Sequence, residues 1–169
     1  MPHSWSISVH KDNLKFSAAH FLIFQDGHAE KLHGHNYKVF VELRSRLDEH
    51  GLVLNFRSLK PLIREVVLEL DECLLLPAEH PVLRVNDLGD GSTEVVYKER
   101  RYIIPTDEIV ALPINNTSSE NLARVVCERL IERLRAEHGN LPLQDLIVGV
   151  EETAGQQGVF HYREDRDGD

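Results

Sequence analysis

Polar and apolar residues alternate from Ser4 to Val9, and a second β-leaning run extends from Lys15 to Phe24, with the turn formers Asp12-Asn13 between them. The two runs predict an antiparallel hairpin. A longer alternation from His35 through Leu47 carries Tyr37, Val39, Val41 and Leu43 at every second position and predicts a half-buried strand. Glu49 to Gly51 then turns the chain into a short strand at Leu52-Val53-Leu54. From Phe56 the period lengthens. Leu59, Leu62, Ile63, Val66, Val67 and Leu70 fall three and four residues apart, the spacing of one helix face running to about Leu70. Pro61 fits that helix only near its first turn.

Pro77 to Pro113 is the least regular stretch, with turn formers from Asp87 to Ser92 and a candidate hairpin of Glu94-Tyr97 with Arg101-Ile104. It reads as an insertion with some strand. Thr117-Ser118-Ser119-Glu120 is a capping box, in which the Thr hydroxyl and the Glu carboxylate satisfy open amides at a helix start. Leu122, Val126, Leu130 and Leu134 carry that second helix to about His138-Gly139, and Leu146 to Val150 with Gly158 to Tyr162 predict two closing strands. The expectation is an α+β fold in a single domain over residues 1–169, with helices on one face of an antiparallel sheet and residues 77–113 inserted.

Composition narrows the partners. The 169 residues are 41% hydrophobic, enough for one core, and 19 basic against 28 acidic residues leave a net charge of −9. That field disfavours nucleic acid and anionic membranes. An anionic small molecule would need a local cluster of cations, for which Lys31, Lys38, Arg44 and Arg46 are candidates, each otherwise a solvated surface charge. Cys73 and Cys127 fall in segments that read as helical, without disulfide or thiolate-zinc spacing, and serve as apolar fillers. No leader-like run and no bilayer-length apolar stretch is present, so a soluble cytoplasmic protein is expected.

His33-Gly34-His35 sets two imidazoles one residue apart, which in extended backbone puts both on one face. His20 ends the preceding strand and can reach the same point if the two strands pair. Three neutral imidazoles suit Zn²⁺ and leave a fourth position open, the pattern of a catalytic site. The glycine would keep a side chain out of the metal's approach. His3, His10, His28, His50, His80, His138 and His161 lack such spacing and read as surface or turn residues.

The segments Phe16-Ser17-Ala18-Ala19-His20 and Leu32-His33-Gly34-His35-Asn36-Tyr37-Lys38-Val39 resemble the 6-pyruvoyl-tetrahydropterin synthase family, which includes the 6-carboxy-tetrahydropterin synthases of queuosine biosynthesis. Supporting matches follow in order at Leu54-Asn55-Phe56 with Leu59-Lys60, at Leu70-Asp71, from Asn116 to Ala123, and at Glu152-Thr153. The resemblance implies a tunnelling fold, with a four-stranded antiparallel sheet backed by two helices. It also implies a homohexamer of two trimers with sites between subunits, and zinc held by His20, His33 and His35. Glu152, with Thr153, would bind the substrate, one carboxylate accepting the two adjacent N–H donors of a pterin edge.

Two positions depart from the family pattern. Ala29 occupies the slot of the usual cysteine, four residues before the H-G-H pair, so that thiol chemistry is absent. The adjacent Glu30 gives Glu-x-x-His-Gly-His, which resembles a variant branch that forms 6-hydroxymethyl-dihydropterin for folate synthesis, with Glu30 as catalytic base. Asp71 is followed by Glu72 where the family has a histidine, so the acid-base pair is two carboxylates. The expected function is a zinc-dependent lyase acting on the C6 side chain of a dihydropterin such as 7,8-dihydroneopterin triphosphate. The alternatives are a related pterin reaction or a pterin- and zinc-binding protein without turnover.

Overall fold

The N-terminal alternation does not fold back on itself. In the computed structural model, which describes residues 4–139 and 141–164, Trp5–His20 is one 16-residue strand, β1. The expected hairpin at Asp12-Asn13 is instead an irregularity inside β1, where its register on the neighbouring strand slips between His10 and Lys15. That neighbour, β2 (His33–Ser45), runs antiparallel to β1 and buries Tyr37, Val39, Val41 and Leu43 at every second position, as the alternation predicted. Leu52-Val53-Leu54 forms no strand; it leads directly into the first helix, α1 (Phe56–Leu68).

Asn55 caps α1 by accepting from the amide of Arg57, and the helix buries Leu59, Leu62, Ile63, Val66 and Val67. Pro61 sits inside the helix, beyond the first turn to which sequence had confined it. After α1 come β3 (Cys73–Pro77), β4 (Arg84–Asp87), β5 (Ser92–Tyr97), β6 (Arg100–Pro105), a 3-10 turn at Thr106–Glu108 and β7 (Ile109–Leu112). Then follow α2 (Ser119–His138), β8 (Leu143–Thr153) and β9 (Gln156–Arg163). Cys73 opens a strand, not a helix as expected, whereas Cys127 is buried in α2 and its thiol is pushed up to about 12 by burial. Both cysteines are free.

The main sheet has the order β7-β3-β1-β2-β8-β9. Its antiparallel centre of β1, β2, β8 and β9 is the expected four strands, and β3 and β7 extend it by parallel pairing. The candidate hairpin exists as β5 and β6, joined by β4 in a separate three-stranded sheet. Both helices pack against the main sheet and each other, α1 against β1 and α2 across β8 and β9. They enclose the larger apolar core with β1 and β2. A second core of Phe21, Ile23, Ala29, Leu74, Leu76, Val95 and Tyr97 fastens the small sheet to the chain that follows β1. Among the described residues no helix is long and apolar enough to cross a membrane. His3 lies outside the described residues; His10, His28, His50 and His161 are exposed, and His80 and His138 are partly covered.

Candidate metal centre

The face of β2 that makes the core continues past Tyr37 into His35 and His33, because side chains two residues apart share a face. Across the antiparallel pair, His20 stands opposite His33, and Ala18 opposite His35. The imidazole centroids are 4.8 Å apart for His20–His33, 5.3 Å for His20–His35 and 4.8 Å for His33–His35. Near the end of β8, Glu152 reaches into this group. Its Oε1 is 3.1 Å from His20 Nε2 and 3.2 Å from His35 Nε2, and the four candidate donor atoms lie within 4.8 Å of one another.

Backbone carbonyls fix two of the rings. His20 Nδ1–H donates to the Thr117 carbonyl at 3.1 Å and His33 Nδ1–H to the Lys31 carbonyl at 2.8 Å, which leaves each Nε2 lone pair facing the cluster. His20 is wholly buried, and its Nε2 makes no hydrogen bond among the described residues. Burial lowers the His20 pKa, against the Thr117 carbonyl and the Glu152 carboxylate, which raise it, so the ring is neutral at physiological pH. Converging imidazoles beside a carboxylate fit a zinc-like dication, and a buried lone pair without a donor is the atom such an ion would satisfy.

The chain before α2 holds His20 in place. Asn116 Oδ1 accepts from the Ile23 amide at 3.1 Å while its Nδ2 donates to the Ile23 carbonyl at 2.9 Å, and Thr117 Oγ1 donates to the Phe21 carbonyl at 3.1 Å. Thr117 is therefore not the helix cap. Ser118 is, accepting from the Asn121 amide. At Gly158 a Cβ would lie 2.2 Å from the Glu120 nitrogen, so glycine lets β9 meet the first turn of α2 backbone to backbone. Ser119 Oγ thereby comes to 3.5 Å from Glu152 Oε2. Tyr37 is fully buried, stacked on Phe16 at 4.7 Å and edge-on to His20 and His35. Burial first, and then the Glu152 carboxylate, raise its pKa and keep the phenol un-ionised.

Glu30 lies beside the cluster, its Oε2 3.9 Å from His33 Nε2 and 3.2 Å from the Leu22 amide that donates to it. Ala29, in the cysteine slot, points into the second core and is 4% exposed. Gly34 has a different reason from the one expected. Its Cβ would point away from the imidazoles and meet the Ala18 carbonyl oxygen at 3.2 Å, so glycine serves the close approach of β1, not the metal's access.

Asp71 and Glu72 are not in the histidine group. Asp71 Oδ1 accepts the Ser17 amide at 2.7 Å, and the Glu72 amide donates to the Ser17 carbonyl at 2.7 Å. Glu72 does so at φ 56, a left-handed conformation that costs a non-glycine residue about 1–3 kcal/mol. Together with Ser17, His35, Ile104 and Glu108 it lines a groove of about 590 Å³ beside the histidines. Thr153 is turned away, its hydroxyl donating to the Gln156 side-chain carbonyl at 3.1 Å. Sequence reasoning missed Asn116, Thr117 and Ser119 as supports, and it missed Arg100. The Arg100 guanidinium donates to the Ala29 carbonyl at 2.8 Å and also to the Glu30 carbonyl, while Tyr97 and Lys98 both donate to the Gly27 carbonyl. A motif search carries no signal for contacts to backbone carbonyls about seventy residues away.

The family model described as 6-pyruvoyl tetrahydropterin synthase matches residues 8–163. A Methanocaldococcus jannaschii protein provisionally named a 6-carboxy-5,6,7,8-tetrahydropterin synthase is 31% identical over 148 residues, 87% of this chain and 89% of its own. The 6-carboxy-5,6,7,8-tetrahydropterin synthase of Haemophilus influenzae is 38% identical over 119 residues, 68% of this chain and 76% of its own. The crystal structure of 6-pyruvoyl tetrahydropterin synthase from Plasmodium vivax superposes with a TM-score of 0.89 at 27% identity, covering 96% of this chain and 100% of that one. Two variants of the vivax protein, with a catalytic residue replaced by alanine or by cysteine, match equally well at TM-score 0.89.

The Arg100 contacts make a prediction about the loop that carries Glu30. In Arg100→Ala the amide of Glu30, which donates to the Leu22 carbonyl at 2.9 Å, should exchange with solvent about fivefold faster, the effect of losing roughly 1 kcal/mol of local hydrogen bonding. Native-state hydrogen exchange reads this directly. Unchanged exchange across residues 24–32 would mean that the loop holds itself.

Proposed function

Because this chain belongs to the 6-pyruvoyl tetrahydropterin synthase family, a family of pterin-processing lyases, we propose that it is a zinc-dependent lyase acting on the C6 side chain of a dihydropterin such as 7,8-dihydroneopterin triphosphate, with 6-hydroxymethyl-dihydropterin as product. The observation that carries this reading is the Glu30 carboxylate, 3.9 Å from His33 Nε2 at the rim of the imidazole cluster. The residue replaced in the vivax variants, called catalytic there, is a glutamate, which supports a carboxylate in the role that a thiol fills elsewhere in the family. When bound by His20, His33 and His35, zinc supplies Lewis acidity toward the substrate's side-chain oxygens. Glu30 takes the proton from a side-chain hydroxyl, and the Leu22 amide and the Arg100 clamp keep it from swinging away. Glu152 orients the ring by accepting two adjacent pterin N–H donors. Asp71 Oδ1 accepts the Ser17 amide and Glu72 lines the neighbouring groove, so within one chain both stand apart from the imidazole cluster that Glu30 borders.

Glu152 admits a second reading, favoured by its 3.1 and 3.2 Å approaches to two imidazole nitrogens: it could be a ligand of the metal. The two readings separate by metal analysis. We further infer that the protein is a homohexamer with sites between subunits, because β7 and β9 leave both sheet edges open in one chain.

Three measurements test these readings. Replacing His33 and His35 together with alanine should abolish stoichiometric zinc while cooperative unfolding survives; unchanged zinc content would overturn the metal site. Glu30→Gln should keep pterin affinity and lose rate by roughly two to four orders of magnitude, whereas Glu152→Gln should keep zinc and lose roughly 1.5–3 kcal/mol of pterin affinity. Zinc lost from Glu152→Gln would make that residue a ligand, and full activity in Glu30→Gln would move the base elsewhere. Light scattering should give the mass of six chains, and a stable monomer at micromolar concentration would refute sites shared between subunits.

A further inference from the structure

Far from the histidines, the irregular stretch of β1 and the exposed side of α1 enclose a groove of about 410 Å³ lined by Lys11, Asn13, Arg57, Lys60 and Arg64. From Lys11 to His20 the strand climbs nine residues, on the order of 25–30 Å, so no small molecule touches both places in one chain. Many other basic side chains of this acidic protein have found carboxylates, and those that have not, such as Lys15, Lys31 and Arg46, are not gathered in one groove. Lys38 pairs with Asp12, Arg44 with Glu42 and Asp145, Arg101 with Glu94, Arg129 and Arg133 with Glu69, and Arg135 with Glu164. Among the described residues, Lys11, Arg57, Lys60 and Arg64 pair with none.

Their placement breaks two electrostatic preferences at once. Arg57 and Lys60 stand three residues apart and Lys60 and Arg64 four, the spacings at which like charges on a helix repel. Arg57 also lies in the first turn of α1, where the helix dipole favours anions, and that turn contains no acidic residue. Folding gains nothing from this arrangement. A bound anion would relieve both penalties.

The spacing also suggests what kind of anion. From Arg57 to Arg64 the helix rises about 10 Å, a row of charge longer than one phosphate, and its two arginines offer forks suited to phosphate oxygens. We propose that this groove binds an oligophosphate, either the phosphate tail of a small molecule seated at another subunit or a free phosphoanion. The slip in the β1 register has a role in this account, since it occurs at the residues that bring Lys11 and Asn13 to the rim. Binding of the anion does not rest on the lyase reading; the assignment of its source to a substrate tail does.

Calorimetric titration of the zinc-loaded protein with inorganic tripolyphosphate at physiological ionic strength tests it, alongside the combined variant Arg57→Gln, Lys60→Gln, Arg64→Gln. The wild type should bind saturably and the variant at least about tenfold more weakly. Both proteins keep the histidine cluster, so any pull of the probe on the metal is common to both and drops out of the difference. The probe should raise the thermal midpoint of the wild type and not that of the variant. The variant's own midpoint should be equal or higher, since repulsion has been removed, which rules out misfolding as the cause. Equal binding by the two proteins, or no saturable binding by the wild type, overturns the proposal. With binding established, the source is read from kinetics. A KM raised at least about tenfold for a triphosphorylated pterin, and unchanged for its dephosphorylated form, identifies the substrate tail. An unchanged KM for both identifies a free phosphoanion.

Discussion

The site depends on one register, that of β1 on β2. His20 faces His33 only because the strands pair as they do, and a slip of one residue would turn every side chain of one strand to the opposite face. What enforces the register is the apolar part of the same faces. Val9, Phe16 and Ala18 on β1, and Tyr37, Val39, Val41 and Leu43 on β2, are all buried in one core with the helices. The valine, leucine and phenylalanine side chains each contribute about 1.5–3 kcal/mol by leaving water, and a slip would forfeit all of them together. The imidazoles are thus positioned by hydrophobic packing further along the strands, and the cluster is built before any ion arrives.

That dependence explains what could be read from the sequence. The period-two run through Tyr37 to Leu43 and the helical spacing from Leu59 to Val67 are local consequences of a one-sided core, and both match the structure. Asp12-Asn13 misled because turn propensity is local, whereas β2 pairs with β1 on both sides of that point and overrides it. Cys73-Leu74-Leu75-Leu76-Pro77 lies between β1 and β7 and is apolar almost throughout, so it has no alternation to distinguish a strand from a helix. Thr117 resembled a cap because its hydroxyl type is common there. Its carbonyl, which orients His20, has no sequence signature at all.

The carboxylates divide by what their surroundings leave free. Asp71 accepts the Ser17 amide away from the imidazoles, and Glu152 faces two imidazoles and a serine hydroxyl. Glu30 is held at its backbone from both sides, by the Leu22 carbonyl and by Arg100, while its side chain takes a single amide bond and stays beside His33. A fixed backbone with an underused carboxylate is what a general base requires, because the group must be in place and must still have a lone pair to offer. The small sheet of β4, β5 and β6, of which sequence foresaw the β5–β6 hairpin, clasps the Glu30 loop through Tyr97, Lys98 and Arg100.

Charge makes the last connection between fold and function. A chain of net charge −9 repels anionic substrates at long range unless some surface offers the opposite field. Of the cations nearest the histidines in sequence, Lys38 and Arg44 are neutralised by Asp12, Glu42 and Asp145, which leaves Lys31 and Arg46 as isolated charges. A row of positive charge without a carboxylate partner lies along α1, on the element whose opposite side fixes β1 in the core. Recognition of phosphate and handling of the reacting side chain would then belong to different ends of the same strand. The rigid pairing of β1 with β2 holds the two at a fixed separation, and it is this separation that requires a second chain wherever one ligand is to use both.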